Sequence, residues 1–158
     1  SYGDIYLRGA GAETHQILGR EVLDGCLGSV DLAVAERPRH AQQMPAPDCG
    51  VEGREVYRLR SRPHRLDLGY DERITWVDVS RFVDYRSIYY EDGKPVKIID
   101  KSWRDQQDAG APFWVYWYAH SLDSGQEGMA YVDPATVRWN SEYPDDFWSE
   151  RTLRRTRR

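Results

Sequence analysis

The chain has 158 residues, a length that fits one domain with its own core. Its net charge of −4 comes from 26 acidic and 22 basic residues, so charge alone neither favours nor excludes nucleic acid. No run of about 18 apolar residues occurs, which predicts a soluble chain with no membrane span. Aromatic residues make up 13% of the sequence. A core that depends on Trp and Tyr is therefore expected.

The N-terminal part is predicted to hold two short strands, at Gly3–Arg8 and Ser29–Ala35, and one helix between them. The helix is placed in Ala12–Leu23, where apolar residues recur at helical spacing. Asp24-Gly25 supports an alternative, in which Glu21–Leu23 is a strand of a hairpin. We favour the helix.

The next segment contains the cysteines and a long loop. Cys26 and Cys49 could form one disulfide in an exported protein, or remain two reduced thiols in a cytosolic one. The sequence leaves both alternatives, and hence the compartment, open. Residues 36–53 hold three Pro, two Gly and few apolar side chains, which predicts a loop. Loops of this length are often functional.

From Arg54 onward the pattern indicates successive strands separated by turns. The predicted strands are Arg54–Ser61 (extended or followed by His64–Leu68), Ile74–Val79, Asp84–Tyr90, Pro95–Lys101, Pro112–His120, Gly128–Val132 and Thr136–Asn140. Asp92-Gly93 is the strongest hairpin signal. Residues 144–155 begin with Pro and acidic residues and end in Arg, which predicts a C-terminal helix, and 156–158 should fray.

These elements predict a mainly β (α+β) fold in one domain, 1–158. The sheet is expected to be twisted and antiparallel, to roll toward a partial barrel or to be closed by helices, and to carry a short N-terminal and a C-terminal helix. Short strands with frequent turns favour this arrangement over a parallel sheet.

The first candidate site is the aromatic strand. Alternation would place Trp114, Tyr116, Tyr118 and His120 on one face, where they could bind a small organic ligand or a segment of a partner protein. The competing interpretation is a central strand whose large side chains fill the core, and it is the better supported of the two.

The second candidate is an arginine stripe, defined as Arg58, Arg60 and Arg62, which should share one face about 7 Å apart. It could hold a carboxylate, a phosphate or a nucleic acid. The competing interpretation is a solvated face whose Arg residues pair with acids of neighbouring strands, for instance Asp78 or Asp84. That pairing is favoured, given the many acidic residues.

No motif of a known family, metal site, cofactor or catalytic set is found, so no metal and no cofactor are predicted. We expect a non-catalytic binding module. The alternatives are a small enzyme with His120 or a carboxylate as base, acting on an acidic substrate held by the stripe, and a nucleic-acid-binding domain.

Overall fold

The computed structural model describes residues 10–28, 47–65, 68–105, 111–138 and 149. It is mainly β, as predicted, with one seven-stranded sheet in which every strand pairs antiparallel with the next. The strands are β1 (Glu13–Val22), β2 (Glu55–Pro63), β3 (Glu72–Asp78), β4 (Asp84–Glu91), β5 (Lys94–Asp105), β6 (Pro112–Ser121) and β7 (Glu127–Tyr131). Within the described ranges the sheet is open, because β1 and β7 do not pair.

Two 3₁₀ turns, Ala10–Ala12 and Pro134–Thr136, flank the sheet. The second one corrects the prediction of a closing strand, because Thr136 belongs to this turn and residues 137 and 138 are not in a strand. His64–Leu68 does not extend β2 in its described part either. Pro63 ends β2, and proline cannot donate to a further ladder bond.

The predicted N-terminal helix is wrong, because Glu13–Val22 is strand β1 and pairs with β2 along its length. The strand carries a β-bulge between Ile17 and Gly19, so Ile17 and Leu18 do not follow a simple alternation. Pairing with a distant strand overrides the local helical pattern.

The Asp92-Gly93 hairpin is confirmed. Glu91 pairs with Lys94 across two turn residues that both have positive φ, 50° and 73°, as a tight hairpin turn requires. Several other predictions lie outside the described residues. They concern the strands at 3–8 and 29–35, most of the loop at 36–53, the helix at 144–155 and the tail at 156–158.

Cross-strand register defines two faces. The face with Arg58, Trp76, Arg86, Asp100 and Tyr118, one residue from each of β2 to β6, is called the pocket face below. The opposite face carries the neighbouring row, Leu59, Thr75, Ser87, Ile99 and Ala119. Each face has its own cluster of buried side chains. In the described part of the chain, no helix has the length and apolarity needed to cross a membrane.

The bulged strand β6 corrects the prediction that Trp114 shares a face with Tyr116 and Tyr118. Ser102 pairs with Tyr116 and Trp103 pairs with Trp114, so Val115 is an extra residue on β6. Because one extra residue reverses the side-chain alternation, Trp114 packs in the cluster of the opposite face.

Candidate functional site

One half of the pocket face is covered by a disulfide-linked pair of segments, residues 23–28 and 47–54, called the clip. Cys26 and Cys49 form a disulfide and are not two free thiols. Beside it, Leu27 and Asp48 exchange two backbone hydrogen bonds of 3.0 and 2.9 Å. Leu23 and Leu27 are buried against the sheet. The clip therefore closes the core on this side.

A buried ion pair fixes the clip to β4 and β5. Arg86 donates to both carboxylate oxygens of Asp100, each at 2.8 Å, and also to the carbonyl of Cys26. The backbone N–H of Gly28 donates to Asp100 at 2.8 Å. Asp100 is 1% exposed. Its hydrogen bonds raise the pKa of Arg86 despite burial, so the guanidinium group stays protonated.

Tyr116 contributes a second anchor. Its hydroxyl donates to the carbonyl of Leu27 at 2.8 Å and accepts from the N–H of Asp48. Ser102 donates to the Asp48 carboxylate. Burial raises the pKa of Tyr116 well above its ordinary value, so the phenol remains a donor. Tyr116 and Tyr118 thus lie within the core beneath the clip.

Among the described residues, the other half of the pocket face is uncovered and forms a pocket of about 740 Å³. This volume is in the range of small-molecule sites. Its lining combines apolar, aromatic and charged side chains from β1 to β4 and the hairpin that follows: Leu18, Arg58, Arg60, Arg62, Asp71, Glu72, Ile74, Trp76, Tyr90 and Gly93.

The arginine stripe lines this pocket, and its members are paired with glutamates of the neighbouring strands β1 and β3. Arg58 lies 3.3 Å from Glu21. Arg62 donates twice to Glu72, at 3.1 and 2.9 Å, while Arg60 approaches Glu72 only to 3.4 Å. Pairing across strands was expected, but Asp78 and Asp84 were the wrong partners, since they bind Arg54 and Lys101.

A row of residues that pair across neighbouring strands crosses the pocket face and passes through this pocket. In register from β1 to β7, its members are Gln16, Arg60, Ile74, Ile88, Ile98, His120 and Glu127. Two neighbouring members, Ile88 and Ile98, are half-buried. Four strand spacings, roughly 19 Å, separate Arg60 from His120. The row therefore joins the arginine stripe and the histidine of the aromatic strand through an apolar floor.

The structure brings some of the sequence-predicted residues together and separates others. Arg58, Arg60 and Arg62 share the pocket, and His120 lies on the same face but outside the pocket lining. Among the described residues, the aromatic side chains that line the pocket are Trp76 and Tyr90, which were not predicted from the sequence. Trp76 donates its indole N–H to Glu21, which holds the ring at the edge of the stripe.

In the described ranges, no group of three or more His, Cys, Asp or Glu residues has the arrangement of a metal site. His15 and Ser61 form a hydrogen-bonded pair on the opposite face, at 2.9 Å. Ser61 is fully buried, so no substrate could reach its hydroxyl. This pair is structural.

No protein-family model matches the chain, and no curated protein matches it. Two solved structures share its fold. One is a "putative outer membrane lipoprotein-sorting protein domain" from Vibrio parahaemolyticus, with a TM-score of 0.66 and 13% identity over 97% of this chain and 53% of the other. The second is a DUF1329 family protein from Desulfovibrio piger, with a TM-score of 0.65 and 15% identity over 97% and 52%. The chain spans about half the length of both structures.

Proposed function

We propose that the protein is a non-catalytic binding module that takes a small organic ligand into the open half of the pocket face. The observation that carries this proposal is the pocket itself: an apolar floor of Ile74 and Trp76 beside the arginine stripe. Ligand sites typically combine apolar walls with a few oriented polar groups. The described pocket has this composition.

The fold likeness is compatible with such a role. One of the two solved structures is named for the sorting of outer membrane lipoproteins, and a lipoprotein carries an apolar acyl group. A ligand with an apolar part would suit the floor of Ile74 and Trp76, and it could extend along the row over Ile88 and Ile98, which follow Ile74 outside the pocket lining. We propose that the organic ligand has such an apolar part and that it binds in the pocket rather than at the clip.

Two other functions, nucleic-acid binding and enzyme activity, receive less support from the geometry. The guanidinium groups of Arg58 and Arg62 lie against carboxylates, so the stripe is not a free cationic track for a nucleic-acid backbone. For an enzyme, His120 would have to meet an arginine and an acid in one pocket. It lies roughly 19 Å along the row from Arg60 instead.

Tryptophan fluorescence during titration with pools of small organic ligands, nucleotides and short oligonucleotides tests the proposal. A saturable shift with an organic pool is expected, and it should shrink in Trp76→Phe because Trp76 lines the pocket. Trp114→Phe is the matched control, since Trp114 packs on the opposite face. An unchanged signal in Trp76→Phe that disappears in Trp114→Phe, or no response to any organic pool, would overturn the proposal.

A further inference from the structure

Among the described contacts, Arg58 and Arg62 each donate a hydrogen bond to a glutamate, whereas Arg60 approaches Glu72 without one. Its Nη1 reaches Gln16 at 3.4 Å, and its Nε lies 3.4 Å from Glu72, buried and without a hydrogen bond in the structure. Arg62, in contrast, binds the same Glu72 with two shorter bonds. Good hydrogen bonds to a carboxylate are about 2.7–2.9 Å long. Arg60 therefore has unused capacity to bind an anion.

We propose that the ligand is a linear amphiphile with a single negative charge, whose acidic group binds Arg60 and whose apolar chain lies across the strands on Ile74, Ile88 and Ile98. This inference rests on the proposed function and names the ligand class for the same pocket. Carboxylate, sulfate and phosphodiester groups share the required chemistry, since each presents oxygens to the guanidinium N–H groups.

The charges around Arg60 favour one negative charge over two. Glu72 lies beside Arg60 and Arg62, and Asp71 also lines the pocket, where it accepts a hydrogen bond from the N–H of Asp92. A dianion such as a phosphate monoester would meet these carboxylates at close range, and like charges at close range cost free energy. A monoanion meets less of this repulsion and can bind the accessible part of the Arg60 guanidinium group, whose side chain is 33% exposed.

The cross-strand register determines the length and direction of the ligand's apolar chain. Arg60 pairs with Ile74, Ile74 with Ile88, and Ile88 with Ile98, so the isoleucines follow the arginine in one row. His120 follows Ile98 in this row and lies three strand spacings, roughly 14 Å, from Ile74. A saturated chain of about twelve carbons has this extended length.

The inference is tested by calorimetric titration of the whole chain with dodecanoate, dodecanol and dodecylammonium, each below its aggregation concentration. Dodecanoate is expected to bind about tenfold more tightly than dodecanol, because only the carboxylate can bond to Arg60. Dodecylammonium should bind most weakly of the three. Dodecyl sulfate and dodecyl phosphate, compared near pH 8, separate a monoanion from a dianion, and the sulfate should be preferred.

Three variants locate the head group. Arg60→Gln should weaken dodecanoate about tenfold and leave dodecanol within about twofold. Arg58→Gln is the matched control from the same strand, since Arg58 has its own carboxylate partner in Glu21, and it should change dodecanoate binding less than about threefold. Glu72→Gln removes the competing carboxylate and should tighten dodecanoate binding severalfold.

A fourth variant tests where the ligand's apolar chain lies. Ile98→Asn places a polar group on the row two strands from Ile74, and it should weaken dodecanoate and dodecanol alike, while octanoate, which is too short to reach Ile98, should be affected less. Circular dichroism and thermal unfolding check that each variant is folded. Equal effects of Ile98→Asn on octanoate and dodecanoate would overturn the cross-strand path.

Failure of this inference is distinguishable from failure of the proposed function. If Trp76-dependent binding of some organic ligand is found but Arg60→Gln and Arg58→Gln have equal effects on dodecanoate, the head-group assignment is wrong and the binding module remains. If dodecanoate does not bind while another organic pool does, the ligand class is wrong. The absence of binding by every organic ligand would overturn both.

Discussion

The two halves of the pocket face use the same residue types in opposite ways. Under the clip, Arg86 and Asp100 form a buried pair with two bonds of 2.8 Å and further bonds to the clip backbone. In the open half, Arg58 and Arg60 approach their glutamates to 3.3 and 3.4 Å at a partly exposed surface. The Arg86–Asp100 pair is enclosed and closely bonded, whereas Arg58 and Arg60 are loosely paired and partly exposed.

This difference suggests a division of roles within one sheet. A buried, hydrogen-bonded ion pair holds two parts of the chain in one arrangement, and removing one partner is costly. Loosely held surface pairs contribute little to stability and can exchange partners with a ligand. We infer that the clip half stabilises the fold and that the open half binds.

Replacing Asp100 should destabilise the fold most, because it removes the carboxylate that fixes the clip to the sheet. Asp100→Ala leaves Arg86 partly buried without its carboxylate and removes the acceptor of the Gly28 N–H, so we expect a loss of about 3–5 kcal/mol in the free energy of unfolding. Chemical denaturation followed by circular dichroism measures this. A loss below about 1 kcal/mol would show that the pair does not hold the clip.

Removing the disulfide should have the next largest effect. The double substitution Cys26→Ser and Cys49→Ser opens a loop of 23 residues, and the unfolded chain gains entropy worth about 3 kcal/mol. Denaturation of the variant and of the reduced wild type should agree. Unchanged stability in both would contradict a stabilising disulfide, since the other anchors of the clip would then suffice.

Gly28 tests the close contact between the clip and β6. It has a φ of 69°, and an added Cβ would lie 2.9 Å from the ring of Tyr116, so Gly28→Ala should cost about 2 kcal/mol. Gly53→Ala is the matched control, because Gly53 has a φ of 82° with open space around it, and it should cost about 1 kcal/mol. Equal losses of thermal stability in the two variants would show that the contact with Tyr116 adds no cost.

The smallest effect is expected in the open half. Arg62→Gln removes a guanidinium group whose side chain is 61% exposed, so stability should change by less than about 0.5 kcal/mol. Thermal unfolding at matched ionic strength measures this. A loss as large as that of Gly28→Ala would mean that the stripe stabilises the sheet, and the contrast between the halves would fail.

Much of the sheet could be predicted from the sequence because its strands alternate and its turns carry strong signals. Asp92-Gly93 placed β4 and β5 in a hairpin, and β2 and β3 were found close to their observed bounds. Strand β1 was missed because Ile17 and Leu18 are adjacent apolar residues at a bulge. Its strand conformation depends on pairing with β2, far along the chain, and local periodicity does not report such pairing.

The candidate site was predicted only in part. The shared face of Arg58, Arg60 and Arg62 follows from alternation alone and is observed. The face of Trp114 could not be predicted, because the extra residue Val115 reverses the alternation and leaves no mark in the sequence. The roles of Trp76 and Tyr90 depend on which half of the sheet the clip leaves open. That is a property of tertiary packing.

The most direct test of the division between the two halves is a map of amide and indole NMR shifts on saturation with dodecanoate. We expect changes around Arg60, Ile74 and the Trp76 indole, and little change at Leu27 and Ser102 beneath the clip. Shifts concentrated at Leu27 and Ser102, with the Trp76 indole unmoved, would contradict it.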